Sequence, residues 1–181
     1  VAAINPATEI LWKYSVVAAA GNTTASSAAA ALGDQISTTA WAGGSLNDLF
    51  DDISGAENAA STVDYRCIFI HNANASNPML SAVAYLSTEV AGGASIAIGV
   101  DPAAASAIAA ATAQAATIAN ETTAPAGVVF TSPTTAGTGI ALGSIPVGQC
   151  RAIWIRRTAA NSAALNNDGV TIAVQCDTAA A

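Results

Sequence analysis

Few side chains in this sequence are equipped for chemistry. One histidine (His71), one lysine (Lys13) and four arginines (Arg66, Arg151, Arg156 and Arg157) stand among 47 alanines in 181 residues. His71 follows an apolar run with no second histidine or clustered carboxylate nearby in sequence, so it reads as a strand-end residue and not as a base or metal ligand. Asp48, Asp51 and Asp52 could offer oxygens to calcium, yet the stretch lacks the glycine and terminal glutamate of a calcium loop, and turn capping with solvation accounts for it. The turn chemistry of Asn167-Asp168-Gly169 explains those residues in the same way. Gly137, Gly139 and Gly143 are spaced one residue off a dinucleotide fingerprint and precede a strand where a helix would be needed. No GxSxG elbow occurs, and the many serines and threonines have one histidine between them. Cys67, Cys150 and Cys176 form no CxxC or Cys/His spacing; they read as buried thiols, with a single disulfide as the alternative. The expectation is therefore no catalytic residue, no metal ligand, no cofactor and no enzyme.

What remains is a surface suited to contact. Charged residues make up 9% of the chain, against about 25% in an average protein, so Ala, Ser, Thr, Gly and Asn must cover most of the exterior. The net charge of −7 and isoelectric point near 4.2 argue against a nucleic-acid partner, whose footprint would be a basic stripe. The mean hydropathy of +0.47 comes mostly from alanine, no run of about 18 large apolar residues could span a bilayer, and no leader is visible at Val1 to Pro6. The expectation is a soluble chain. Trp12, Trp41 and Trp154 have small or polar neighbours, as interface anchors do, although a satisfied core position competes for each. Trp12, Trp41, Trp154 and Arg156 are the expected interface residues. The sequons at Asn22, Asn74 and Asn120 are expected by chance in so Asn/Ser/Thr-rich a chain.

Alternation of period two marks the elements. Strands are expected over Asp64 to Ile70, Leu80 to Glu89, Ile96 to Val100, Val128 to Phe130, Ile140 to Leu142, Cys150 to Thr158 and, after a hairpin-type turn at 166–169, Val170 to Cys176. Glu9 to Val17 could add one more. The alanine-rich stretch Ala103 to Ala119 has helical propensity but side chains too small to anchor a helix, so a short helix and an irregular crossing stay open. Seven or eight short strands without amphipathic helices between them predict an antiparallel β-sandwich, Ig-like or jelly-roll-like. Residues 1–45 are expected as an N-terminal extended arm with a low-complexity segment at Ala18 to Ala31, and residues 46–181 as the sandwich.

Several segments carry a resemblance. Leu32-Gly33-Asp34-Gln35-Ile36-Ser37, Asn47 to Glu57, Asp64 to Asn72, Ile96 to Pro102, Ile118 to Pro125 and Ala152 to Arg157 together resemble small virion structural proteins of tailed bacteriophages. The resemblance spans most of the chain from Leu32; the Ala18 to Ala31 and Ala103 to Ala116 regions fall outside it. It implies a particle component without catalytic motifs, made in the bacterial cytoplasm and located in the virion. The favoured form is a capsid decoration, or cement, protein that contacts the major capsid protein and other copies of itself as a homotrimer or other symmetric oligomer. A tail or baseplate component is the alternative within that class, and a carbohydrate-binding or adhesin module the alternative outside it; two tryptophans clustered on one exposed face would favour the last.

Overall fold

The structure, a computed structural model, describes residues 4–163, 165 and 167–178; position 166 of the expected turn and the first three residues of the expected arm lie outside them. A one-turn helix α1 (Pro6–Glu9) leads into β1 (Ile10–Val16), followed by β2 (Gln35–Ala40), α2 (Gly55–Ala60), β3 (Val63–Asn72), β4 (Met79–Glu89) and β5 (Ser95–Val100). The short β6 (Ser106–Ala107), then β7 (Ile140–Ile145), β8 (Gln149–Thr158) and β9 (Val170–Asp177) complete the chain. The larger sheet runs β2-β1-β3-β8-β5 with β6 also on β8, the smaller runs β7-β4-β9, and every pairing is antiparallel. The two sheets pack face to face as a β-sandwich.

Alternation along the strands builds two apolar layers, one on each face of the larger sheet. Ile68 and Ile70 of β3, Ile96 and Ile98 of β5, and Ile153 and Ile155 of β8 turn inward and meet Ala82, Ala84 and Leu86 of β4. Val170, Ile172, Val174 and Cys176 of β9 pack against the same layer. Cys67 and Phe69 of β3 and Cys150, Ala152 and Trp154 of β8 turn the other way. That second face is covered by a third layer of irregular chain, in which Ala115, Ile118, Val128 and Phe130 lie on the sheet.

This third layer explains the alanine content. The 103–119 stretch forms β6 and irregular turns with no helix, because its backbone finds partners on the sheet that a helix would have to keep internal. Gln114 and Ala115 donate their N–H groups to the Asp34 carbonyl, and Ile118 donates to Leu32. The buried Gln114 amide accepts from the Ile36 N–H at 3.0 Å and donates to the Ala107 carbonyl at 2.9 Å. Asp101, 1% exposed, accepts from the N–H groups of Ala103 and Ala116 at 2.9 Å each and from the Trp154 indole at 2.8 Å. Side chains larger than alanine would hold this backbone away from its acceptors. At Gly33 (φ +98°) even a methyl group would come within 1.8 Å of the Ala116 carbonyl oxygen.

Two sequence expectations need correction. Residues 10–40 are no separate arm: β1 lies between β2 and β3, in register with β3 from Ile10↔Asn72 to Tyr14↔Ile68. The low-complexity segment after β1 is also tied down, with Asn22 donating to the Ile36 carbonyl and Thr38 to the Thr24 carbonyl. Its polar side chains take part, as when the Ser26 hydroxyl donates to the Ser15 carbonyl at 2.6 Å. The strand expected at Val128 to Phe130 is reduced to a single bridge between Thr131 and Ile98, since these residues spend their side chains on the outer layer.

Candidate functional site

Ordinary catalytic chemistry finds little support in the buried groups. His71 lies near the end of β3, buried, and burial with the nearby Lys13 ammonium lowers its pKa, which favours the neutral imidazole. The Lys13 pKa is itself lowered by burial, and its ammonium donates to the Asn22 side chain at 2.7 Å. All three cysteines are free. Burial pushes the Cys150 thiol up to about 12, raises Cys67 well above the ordinary range and raises Cys176 too, so none is a ready thiolate at neutral pH. Among the described residues no group of three His, Cys, Asp or Glu side chains is placed to hold a metal ion.

The lowered His71 pKa has a measurable consequence. A histidine that takes up its proton less readily when folded loses stability as pH falls from its ordinary value near 6.5 through the lowered one. Urea unfolding at pH about 7.5 and about 5 should show that loss, and His71→Gln should make the decline shallower between those values. An unchanged slope in the variant would refute the assignment.

The four expected interface residues fall in two places. Trp12 on β1 and Trp41 just beyond β2 meet edge to face, with ring centroids 5.9 Å apart and planes at 80°, both half-buried against the inner layer. Their backbones are tied by the Trp41 N–H donating to the Trp12 carbonyl at 2.8 Å. Trp154 and Arg156 instead point to the opposite face of the larger sheet. Trp154 is wholly buried and hydrogen-bonded to Asp101, so it offers no contact surface, and its expected interface role is withdrawn. Arg156 is partly exposed and stacks over the Phe130 ring at 5.3 Å.

A concavity lies where β8 ends and β5 and β9 begin, walled by the 41–55 loop, the first turn of α2 and residues 160, 162, 163, 165 and 167–169. Its volume is about 770 Å³, and its lining includes Trp41, Asp48, Asp52, Arg157, Asp168 and Ile172. Local sequence shapes it. Gly43 and Gly44 take positive φ of +67° and +82°, which lets the chain reverse after Trp41. Ser54 and Glu57 form a reciprocal capping box that starts α2, a signal present in the sequence as Ser54-x-x-Glu57. The Tyr14 hydroxyl donates to the Asp48 carbonyl.

Beneath the loop, Phe50 lies under two guanidinium groups, Arg157 at 4.8 Å and Arg66 at 5.6 Å from its centroid. Arg157 donates to Asp64 at 2.7 and 3.1 Å and to Asp51 at 3.1 Å, which fixes the wall. On the other side the Asp168 carboxylate accepts the Ala94 N–H at 2.6 Å and crowds Gly93, where a methyl group would come within 2.1 Å of it. Two buried polar atoms of lining residues, the Trp41 indole nitrogen and Asp48 Oδ2, have no hydrogen-bond partner.

The edges of the sheets form a second candidate site. In the larger sheet, the outer side of β5 is taken by Thr131, which exchanges both backbone bonds with Ile98, and the outer side of β2 by Asn22, Thr24 and the Gln114 amide. In the smaller sheet, β7 is bent by a bulge at Leu142–Gly143 (Gly143 φ +75°), which blunts it as a template. The outer backbone edge of β9 has no partner among the described residues; the strand carries no proline, lysine or arginine and one acid, Asp177 at its end, and its pairing with β4 shifts register twice, between Leu80 and Val83 and between Leu86 and Thr88. No helix of the described residues is long and apolar enough to cross a membrane. No protein-family description, curated protein or solved structure matches the chain.

Proposed function

We propose that the chain is a non-enzymatic structural protein of a tailed-phage particle, a decoration protein that binds the outer capsid lattice and stabilises it by bridging major capsid subunits. The observation that carries the assembling role is the outer edge of β9, which has no backbone partner among the described residues, in a molecule whose larger sheet has both of its outer strands covered. Natural sheets guard such edges with charge, proline or distortion, and an unguarded one is suited to accept a strand from a neighbour. The low charge and the high thiol pKa values fit a part that is touched by other parts. A ligand that binds only the assembled lattice stabilises it by its own binding free energy, and repeated attachment multiplies weak contacts. The phage setting rests on the resemblance of the segments from Leu32 onward. A tail component would use the same edge, and locating the protein on shell or tail separates the two.

Proline at Ala173 and at Val174 tests the edge. Successive residues of an edge strand present their N–H groups alternately to the neighbour and to the outside, so one of the two variants keeps its β4 bonds. That variant should fold, sediment as a smaller species than the parent, and bind shells lacking the protein at least about tenfold more weakly. Parent protein that stays monomeric at high concentration and ignores such shells would overturn the proposal.

A further inference from the structure

We propose that Lys13 and Asn22 are the site of an intramolecular isopeptide bond, formed between lysine Nζ and asparagine Cγ with loss of ammonia. The inference stands apart from the assembling role of β9, since it uses other residues. The two side chains already touch, with Nζ donating to Asn22 Oδ1 at 2.7 Å. A carbonyl bond of about 1.2 Å then puts Nζ no more than about 3.9 Å from Cγ, close to the separation of a near-attack pair. Both residues are held in place. Lys13 lies within β1, paired with Ala40 of β2 and Phe69 of β3, and the Asn22 N–H donates to the Ile36 carbonyl of β2 at 2.6 Å.

The surroundings suit this chemistry. An amine attacks a carbonyl carbon when it is unprotonated. Among the described residues no carboxylate forms an ion pair with Lys13, and burial lowers its pKa. The Cys150 thiol, whose thiolate would favour the ammonium, is itself kept neutral by burial, which pushes its pKa up to about 12. His71 stands two residues along β3 from Phe69, the partner of Lys13, on the same face of the sheet, within reach of a long side chain. Burial and the nearby ammonium keep its imidazole neutral. Starting from the free amine, Nζ attacks Cγ and the Cγ–Nδ2 bond breaks. His71 takes one proton from Nζ and returns it to Nδ2, which leaves as ammonia. No oxidant or cofactor enters. The product closes residues 13–22 into a ring and fastens the start of the low-complexity segment to β1.

The test is mass spectrometry of the full chain. The parent should weigh about 17 Da less than its sequence requires, the mass of one ammonia. Lys13 is the one lysine in the sequence, so mapping is direct. After unfolding, trypsin should fail to cut behind Lys13, the residue should resist acetylation, and fragmentation should yield Lys13 joined to Asn22. Lys13→Arg, which keeps the charge, and Asn22→Gly, which suits the φ of +55° there, should each restore the mass calculated for the variant. A succinimide at Asn22 would give the same deficit, but it would survive Lys13→Arg and leave Lys13 open to acetylation. His71→Gln should slow bond formation at least about tenfold. Circular dichroism identifies any variant that fails to fold, and the joined fragment from the parent then provides the reading. Full sequence mass in parent protein kept warm for several days, a deficit that persists in Lys13→Arg, or a bond that forms as fast without the imidazole would overturn the proposal.

Discussion

Asp101→Ala is expected to lower stability by about 4 kcal/mol. The carboxylate is buried and accepts three hydrogen bonds, two from the backbone of the alanine layer and one from the Trp154 indole beneath it. Alanine at this position leaves a buried indole N–H and two backbone N–H groups to find other partners, and each unsatisfied donor costs about 1–3 kcal/mol. The layer should loosen before the sandwich does. Hydrogen exchange would show it as faster exchange over residues 103–118 than over β3 and β8, with a reduced near-ultraviolet signal from Trp154. Asp101→Asn keeps one acceptor oxygen and should fall between parent and alanine variant. A loss below about 1 kcal/mol for the alanine change would remove Asp101 from this role.

Asp64→Ala should cost about 3 kcal/mol through a different mechanism. Asp64 and Arg157 are 4% and 8% exposed at the side chain and joined at 2.7 Å, so deleting the carboxylate strands a guanidinium that burial has taken from water. Asp51, 65% exposed, retains its bond to Arg157 and moderates the loss. The replacement of both partners is the sharper test. Asp64→Ala combined with Arg157→Met removes the stranded charge and should recover most of the stability measured by urea unfolding, because much of the single-variant cost is an unpaired ion and not a lost attraction. If the double variant is no better than Asp64→Ala, stacking of the Arg157 guanidinium on Phe50 is what matters at this site.

The strands were legible where one simple rule governed them. Ile96, Ile98 and Val100 alternate with small residues and form β5, and Ile153 and Ile155 point away from Trp154 and Arg156 on β8 as the period of two requires. β9 follows the same rule, and its Val170, Ile172, Val174 and Cys176 share the inward face. The alanine layer was not legible, because its conformation is set by acceptors contributed from distant segments, such as the Asp34 carbonyl and the Asp101 carboxylate. Propensity counts only local partners. The same gap hid the position of Trp154, expected at an interface while the chain from Ala103 to Phe130 covered it. The cavity was half visible: the aspartates of the 48–52 stretch and the two tryptophans stood out, but only the fold brings Trp12 and Trp41 together and sets Asp168 opposite the loop. The capping box at Ser54 was readable and overlooked.

The position of β8 constrains how a ribosome can deliver this protein. Its register with β3 joins Val63 to Thr158 and His71 to Cys150, and β5 hangs on its other side. Until residue 158 has left the exit tunnel, β3 and β5 have no common neighbour in the sheet. The nascent polypeptide must wait for β8 before its main sheet can close. Such long-range closure makes folding slow, so yield in a host cell should depend on protection of the waiting chain more than on the stability of the finished one.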